Sequence, residues 1–163
     1  MLARENAERL GLLERIQFWQ GHLLDPIEGS FDLIVANLPY VAASEAKQLA
    51  PEVRHDPPLA LYGGETGDEL IRELIAAAPP YLRPGGTLAL EIGIDQEVGL
   101  SEFLMMKNYR DIRLKNDYAG IGRFLCGVVL QTVRDHVQDC IRSEHSVFVS
   151  KVLLFLSGLE VEM

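Results

Sequence analysis

The sequence is short of cysteine, of positive charge and of long apolar runs, and each shortage argues against a class of function. Cys126 and Cys140 are its only cysteines. That is too few for a disulfide framework or a cysteine-based metal centre, and it suits reduced thiols in a cytoplasmic protein. Lys and Arg number 15 against 24 Asp and Glu, a formal net charge of −9, whereas a surface that grips nucleic acid needs a basic face for the phosphates. The longest apolar run, Val147–Leu159, is broken by Ser150, Lys151 and Ser157. It falls short of the roughly 20 apolar residues that span a bilayer, so no membrane partner is expected. Met1 leads into a charged helical pattern rather than a signal peptide. What remains, 163 residues of which 48% are hydrophobic, suffices for one ordinary core.

Apolar spacing predicts a helix over 2–13, with Leu2, Ala3, Ala7, Leu10 and Leu13 near one face and Gly11 at its stop. Ile16–Gly21 alternates and suits a short strand; Phe31–Ala36 is a stronger one that ends at Asn37. Residues 41–67 hold Pro51, Pro57, Pro58, Gly63, Gly64 and Gly67 and read as a loop. A second helix is expected over 68–82, closed by Arg83-Pro84-Gly85-Gly86. The strand over 87–92 is nearly continuous in apolar residues and is expected to be covered on both faces. A third helix over 95–107 and strands over 111–115 and 123–130 complete an alternation that implies an α/β layered sheet. Val129, Val133, Val137 and Ile141 recur every four residues, which predicts an amphipathic helix over 130–142. The apolar pattern of 147–159 fits a strand or a helix.

The chemistry concentrates in Asn37-Leu38-Pro39-Tyr40. In open α/β sheets, ligands bind beyond the carboxyl ends of the strands, which is where this turn falls. Pro39 fixes its own φ and biases Leu38 towards an extended conformation. The Asn37 side-chain oxygen and the Leu38 carbonyl can then accept both hydrogens of a planar –NH2 group, with the Tyr40 ring flat against the conjugated system behind it. An amide nitrogen is a poor nucleophile because its lone pair is delocalised. Holding both hydrogens points that lone pair outward and stabilises the positive charge that develops on nitrogen during transfer. The bland alternative is a strand-ending turn in which Tyr40 simply packs.

From Ala3 to Val128 the chain resembles the catalytic domain of the release-factor glutamine methyltransferases. The resemblance is carried by ARENAERLGL (Ala3–Leu12), FDLIVANLPYV (Phe31–Val41), PEVRHDPPLALYGGETG (Pro51–Gly67), YLRPGGTLALEIGIDQ (Tyr81–Gln96) and YAGIGRFLCG (Tyr118–Gly127). It implies a Rossmann-like S-adenosylmethionine-dependent methyltransferase fold acting on a glutamine of a peptide-chain release factor. It further implies that Asn37, Pro39 and Tyr40 form the catalytic turn, that Asn37 and the Leu38 carbonyl bind the glutamine amide, and that His22, Leu23 and Asn37 border the cofactor. Family members carry an acidic residue where His22 stands; a neutral histidine can accept the adenine amino hydrogen or be a surface residue with no ligand role. Leu38 replaces the first proline of the family's Pro-Pro pair.

The family's first two strands and glycine-rich cofactor loop would precede Ala3, so the fold is expected to be incomplete. Gly63–Gly67 follows a long loop rather than a strand and is no substitute. The two strands would lie between Ile16–Gly21 and Phe31–Ala36, which leaves the latter with an apolar edge to be exposed, paired or covered by oligomerisation. Residues 1–129 are thus read as a partial catalytic domain, and 130–163 as an extension of helical character. Two further readings are carried: a non-catalytic remnant or interaction module, and an adenine N-methyltransferase, which uses the same kind of turn but is disfavoured by the acidic balance. Glu91 and Asp95 are expected to serve loop hydrogen bonds or a helix start rather than acid–base chemistry, Glu52–Asp56 to form loop salt links or substrate contacts rather than a metal site, Trp19 to be core or crevice wall, and 68–73 to be a solvated helix face.

Overall fold

The computed structural model describes residues 2–46 and 49–130, and the backbone of 152–156. Along the chain lie α1 (Leu2–Arg9), β1 (Phe31–Asn37), β2 (Val41–Ala42), α2 (Pro58–Leu61), β3 (Tyr62–Gly64), α3 (Glu69–Ala77), β4 (Leu82–Glu91), α4 (Glu97–Met106), β5 (Tyr109–Asn116), β6 (Gly122–Val129) and β7 (Val152–Leu156). Among the described residues, five strands make one mixed sheet in the order β5-β6-β4-β1-β7, and β2 and β3 form a separate pair. β4, β1 and β7 run parallel, while β6 is antiparallel to β4 and β5 to β6.

Local chemistry sets these elements. Gly11, at φ +66, ends α1 as its Leu12 amide turns back to the Ala7 carbonyl. α3 repeats Ile71, Leu74, Ile75 and Ala78 on one stripe, all of them fully buried. Each of the three larger side chains contributes about 1.5–3 kcal/mol by leaving water. Pro79 and Pro80 stop this helix short of the expected end at 82, and Leu82 already pairs with Phe31. The next rung is Leu33 with Thr87, so Arg83–Gly86 bulges out of the ladder between them.

Ile34 and Ala36 of β1, Leu88 and Leu90 of β4, and Leu125 and Val129 of β6 share one core cluster with α3 and with Leu100 and Leu104 of α4. Leu33, Val35, Ala89 and Cys126, on the opposite face, are only half-buried. The central strand is therefore fully covered on one face among the described residues, not on both. Tyr109 lies in the core with its hydroxyl donating to the Ile75 carbonyl at 3.1 Å, and burial pushes its phenol up.

Two expectations change. Ile16–Gly21 forms no strand: the two neighbours of β1 are β4 and β7, and no described strand lies beside 16–21 to receive its ladder. The edge of β1 is covered by the chain itself, because β7 pairs with it from Leu33↔Val152 to Asn37↔Leu156. This settles the 152–156 part of the C-terminal apolar run as strand. The helix expected over 130–142 lies outside the described residues beyond Leu130.

Candidate active site

β1 delivers Asn37 to the carboxyl end of the parallel strands, directly opposite Glu91 at the end of β4. The Asn37 side chain is half-buried and has no hydrogen-bond partner among the described residues. Leu38 is 7% exposed and packs into the core, and Pro39 is buried behind it. The Leu38 side chain thus anchors the turn by burial, where a proline would stiffen it through φ.

Tyr40 is gripped from two sides. Arg123, at the start of β6, donates from Nη2 to the Tyr40 hydroxyl at 2.6 Å, and its guanidinium carbon lies 4.9 Å from the ring centroid. The hydroxyl in turn donates to Glu91 Oε1 at 3.3 Å. The Tyr40 carbonyl accepts from Gln96 Nε2 at 3.1 Å, while Gln96 Oε1 accepts the Gly93 amide at 2.8 Å. A Cβ on Gly93 would approach the Gln96 side-chain amide to 3.0 Å, so the Gln96 amide would have to give way. Glu91 thus contacts the turn through the Tyr40 hydroxyl.

The Gly63–Gly67 loop backs the turn. β3 pairs with β2 immediately after Tyr40, and a Cβ on Gly67 would lie 2.6 Å from the Tyr40 carbonyl oxygen. Gly63 is held equally close to the Pro39 carbonyl. Only glycine permits this backbone-on-backbone approach. Glu69 fastens the loop to α3: its carboxylate accepts the Thr66 amide at 2.8 Å and the Gly67 amide at 2.9 Å. Asp68 pairs with Arg72 at 2.6 Å. The first turn of α3 thus anchors the loop, while Glu69 and Glu73 stay exposed as expected of a solvated face.

Those bonds, the Thr66 amide foremost, lower the Glu69 pKa from 4.5 to about 2. Because the folded value lies below the unfolded one, the contribution to the fold is complete above about pH 4.5 and is lost as pH falls through about 2. Followed by NMR, the Thr66 and Gly67 amide signals should hold their positions down to about pH 3 and collapse together below it. In Glu69→Gln they should be shifted at every pH. Signals that move near pH 4.5 would contradict the anchor.

The residues expected to border the cofactor are placed differently. His22 Nε2 lies 2.8 Å from Glu73 Oε1 on α3, so that nitrogen is engaged away from the turn. Leu23 adopts φ +44 and packs its half-buried side chain against the core. An open cleft of about 450 Å³ is lined by Arg4, Leu13, Ile16, Gln17, Phe18 and Trp19, none of them part of the turn. Trp19 is thus both crevice wall and core neighbour. His22 and Leu23 are assigned no step with the cofactor. In the 52–56 segment, Arg54 donates to the Leu49 carbonyl at 2.9 Å.

Gln96, Arg123 and Glu69 were assigned no role from sequence. Their contacts with the turn span 56 and 83 residues for the first two, beyond the reach of local patterning. The available signal was that Gln96 and Arg123 close the IGIDQ and GIGR segments within the stretches of family resemblance.

No family model matches the chain. Among curated proteins it is 41% identical over 129 residues to the release factor glutamine methyltransferase of Synechocystis, covering 76% of this chain and 43% of that protein. It is 42% identical to the protein of that name from Moorella thermoacetica, covering 75% and 44%. With the ribosomal protein uL3 glutamine methyltransferase of Bordetella pertussis it shares 41% over 97 residues, 59% of this chain and 33% of that one. This chain spans less than half the length of these relatives. A crystal structure of a methyltransferase from Pyrococcus furiosus superposes with a TM-score of 0.51 at 24% identity, covering 79% of this chain and 56% of that one, which shows a shared Rossmann-like α/β fold. Over the matched three quarters of its length, this chain is 39–42% identical to release factor glutamine methyltransferases.

Proposed function

We propose that this chain carries the acceptor-amide site of an S-adenosylmethionine-dependent protein-glutamine N-methyltransferase whose substrate is a peptide-chain release factor. The observation that carries this reading is Asn37, a half-buried side-chain amide without a partner among the described residues, next to a Tyr40 held at both its hydroxyl and its carbonyl. Asn37 Oδ1 and the Leu38 carbonyl would take the two hydrogens of the substrate amide, and the Tyr40 ring would lie against its plane. The negative ends of these two dipoles stabilise the positive charge that grows on the nitrogen as it acquires a methyl group. The names of the relatives supply the methyl transfer and the glutamine, and two kinds of protein substrate appear among them. Under this reading 1–129 is the catalytic segment and 130–163 an extension that lends β7 to the sheet. A cytoplasmic location accompanies it, and none of the described helices is long and apolar enough to cross a membrane.

A second reading, an amide-binding module without methyl transfer, is favoured by the engagement of His22 with Glu73 and by β7 on the edge of β1. Calorimetry with S-adenosylmethionine separates the two. Saturable heat supports the enzyme, followed by one added methyl group on a glutamine-bearing release-factor peptide. No heat at millimolar cofactor would rule out methyl transfer by this chain alone.

A further inference from the structure

We propose that Arg123 is a positioning residue that sets the plane of the Tyr40 ring, and with it the side wall of the slot that takes the substrate amide. This rests on the reading of the 37–40 turn as the amide site. The backbone of Tyr40 is fixed by Gln96 at its carbonyl and by Gly67 behind it, yet two side-chain torsions remain free to swing the ring. Arg123 closes both. Its own backbone is pinned, since the Arg123 carbonyl accepts the Ile92 amide at 2.9 Å. Its side chain is four-fifths buried, and its guanidinium reaches the ring hydroxyl at 2.6 Å.

A guanidinium placed only to pair with Glu91 would show its short contact there. The Arg123–Glu91 separation is 3.7 Å, too long for a hydrogen bond, whereas the contact with the phenol is the short one. Glu91 instead accepts from the hydroxyl, so the phenol is held between a donor and an acceptor. A planar fork can donate to the hydroxyl while lying against the ring; a lysine ammonium, a point charge, could do one or the other.

The test uses the whole chain with ring-labelled tyrosine, Tyr40 being assigned through Tyr40→Phe. The Tyr40 ring flip, read by NMR, should accelerate about fivefold or more in Arg123→Gln, the scale of a partly desolvated cation against a ring face, and by less in Arg123→Lys. Affinity for a glutamine-bearing peptide should fall severalfold in Arg123→Gln, and adding Arg123→Gln to Tyr40→Phe, which has already lost the hydroxyl contact, should cost less than it does in the wild-type chain. An unchanged flip rate, or a full additional loss in the Tyr40→Phe background, would overturn the proposal. Should Arg123→Gln not fold, Arg123→Lys carries the same comparison. A wild-type chain that binds no glutamine peptide would overturn the amide-site reading, whereas a failed ring-flip comparison overturns only the role of Arg123.

Discussion

Replacing Asn37 by alanine should lower the affinity for a glutamine-bearing peptide by about tenfold or more and leave the fold intact. An amide hydrogen left without its acceptor in a half-buried site costs about 1–3 kcal/mol, and each 1.4 kcal/mol is a factor of ten. Where methyl transfer is measurable the loss should be larger, about 100-fold, because the same oxygen also meets the charge that develops on nitrogen. Thermal stability should scarcely change, since the side chain has no hydrogen-bond partner among the described residues and is only half-buried. Asn37→Asp keeps an acceptor oxygen and should retain more binding than the alanine. Equal losses in both variants would remove the acceptor role from Asn37.

The second large effect concerns the edge of β1. A chain ending at Leu130 loses β7 and leaves the N–H and C=O groups of Leu33–Asn37 unpaired on that side, along a strand whose Leu33 and Val35 are already only half-buried. A bare apolar edge of this kind is a template for strand addition by other copies. The shortened chain should therefore form concentration-dependent aggregates, seen by light scattering under conditions where the full chain is monodisperse. Val35→Lys, which puts a charge on the half-covered face of that strand, should restore solubility to the shortened chain. A monodisperse truncated protein with unchanged melting would show that β7 contributes little.

Much of this architecture was legible in the sequence because it rests on local periodicity. The Ile71-Leu74-Ile75-Ala78 stripe, the apolar run that ends at Asn37 and the 87–92 strand each carry a pattern that only one element can bury. The alternation at Ile16–Gly21 looks like a strand, but a strand exists only with a partner, and β1 gives its free side to β7 instead. The reverse holds at 152–156, where a patternless apolar run becomes a strand because an edge is available. The turn itself was legible, yet its supports were not. Arg123 and Gln96 reach it across 83 and 56 residues. The loop-anchoring role of Glu69 depends on the Gly63–Gly67 backbone folding over the first turn of α3, which helical spacing cannot reveal. The reading of His22 rests on resemblance alone: its side chain is exposed and one ring nitrogen meets Glu73.

The central claim is that this turn holds a glutamine side-chain amide by both of its hydrogens. The most direct measurement is NMR of a peptide whose glutamine side-chain nitrogen is labelled, titrated with the full chain. The account predicts that both amide proton signals move downfield on binding and that neither moves with Asn37→Ala at the same concentrations. Binding in which one or neither proton shifts, or in which both still shift with Asn37→Ala, would contradict it.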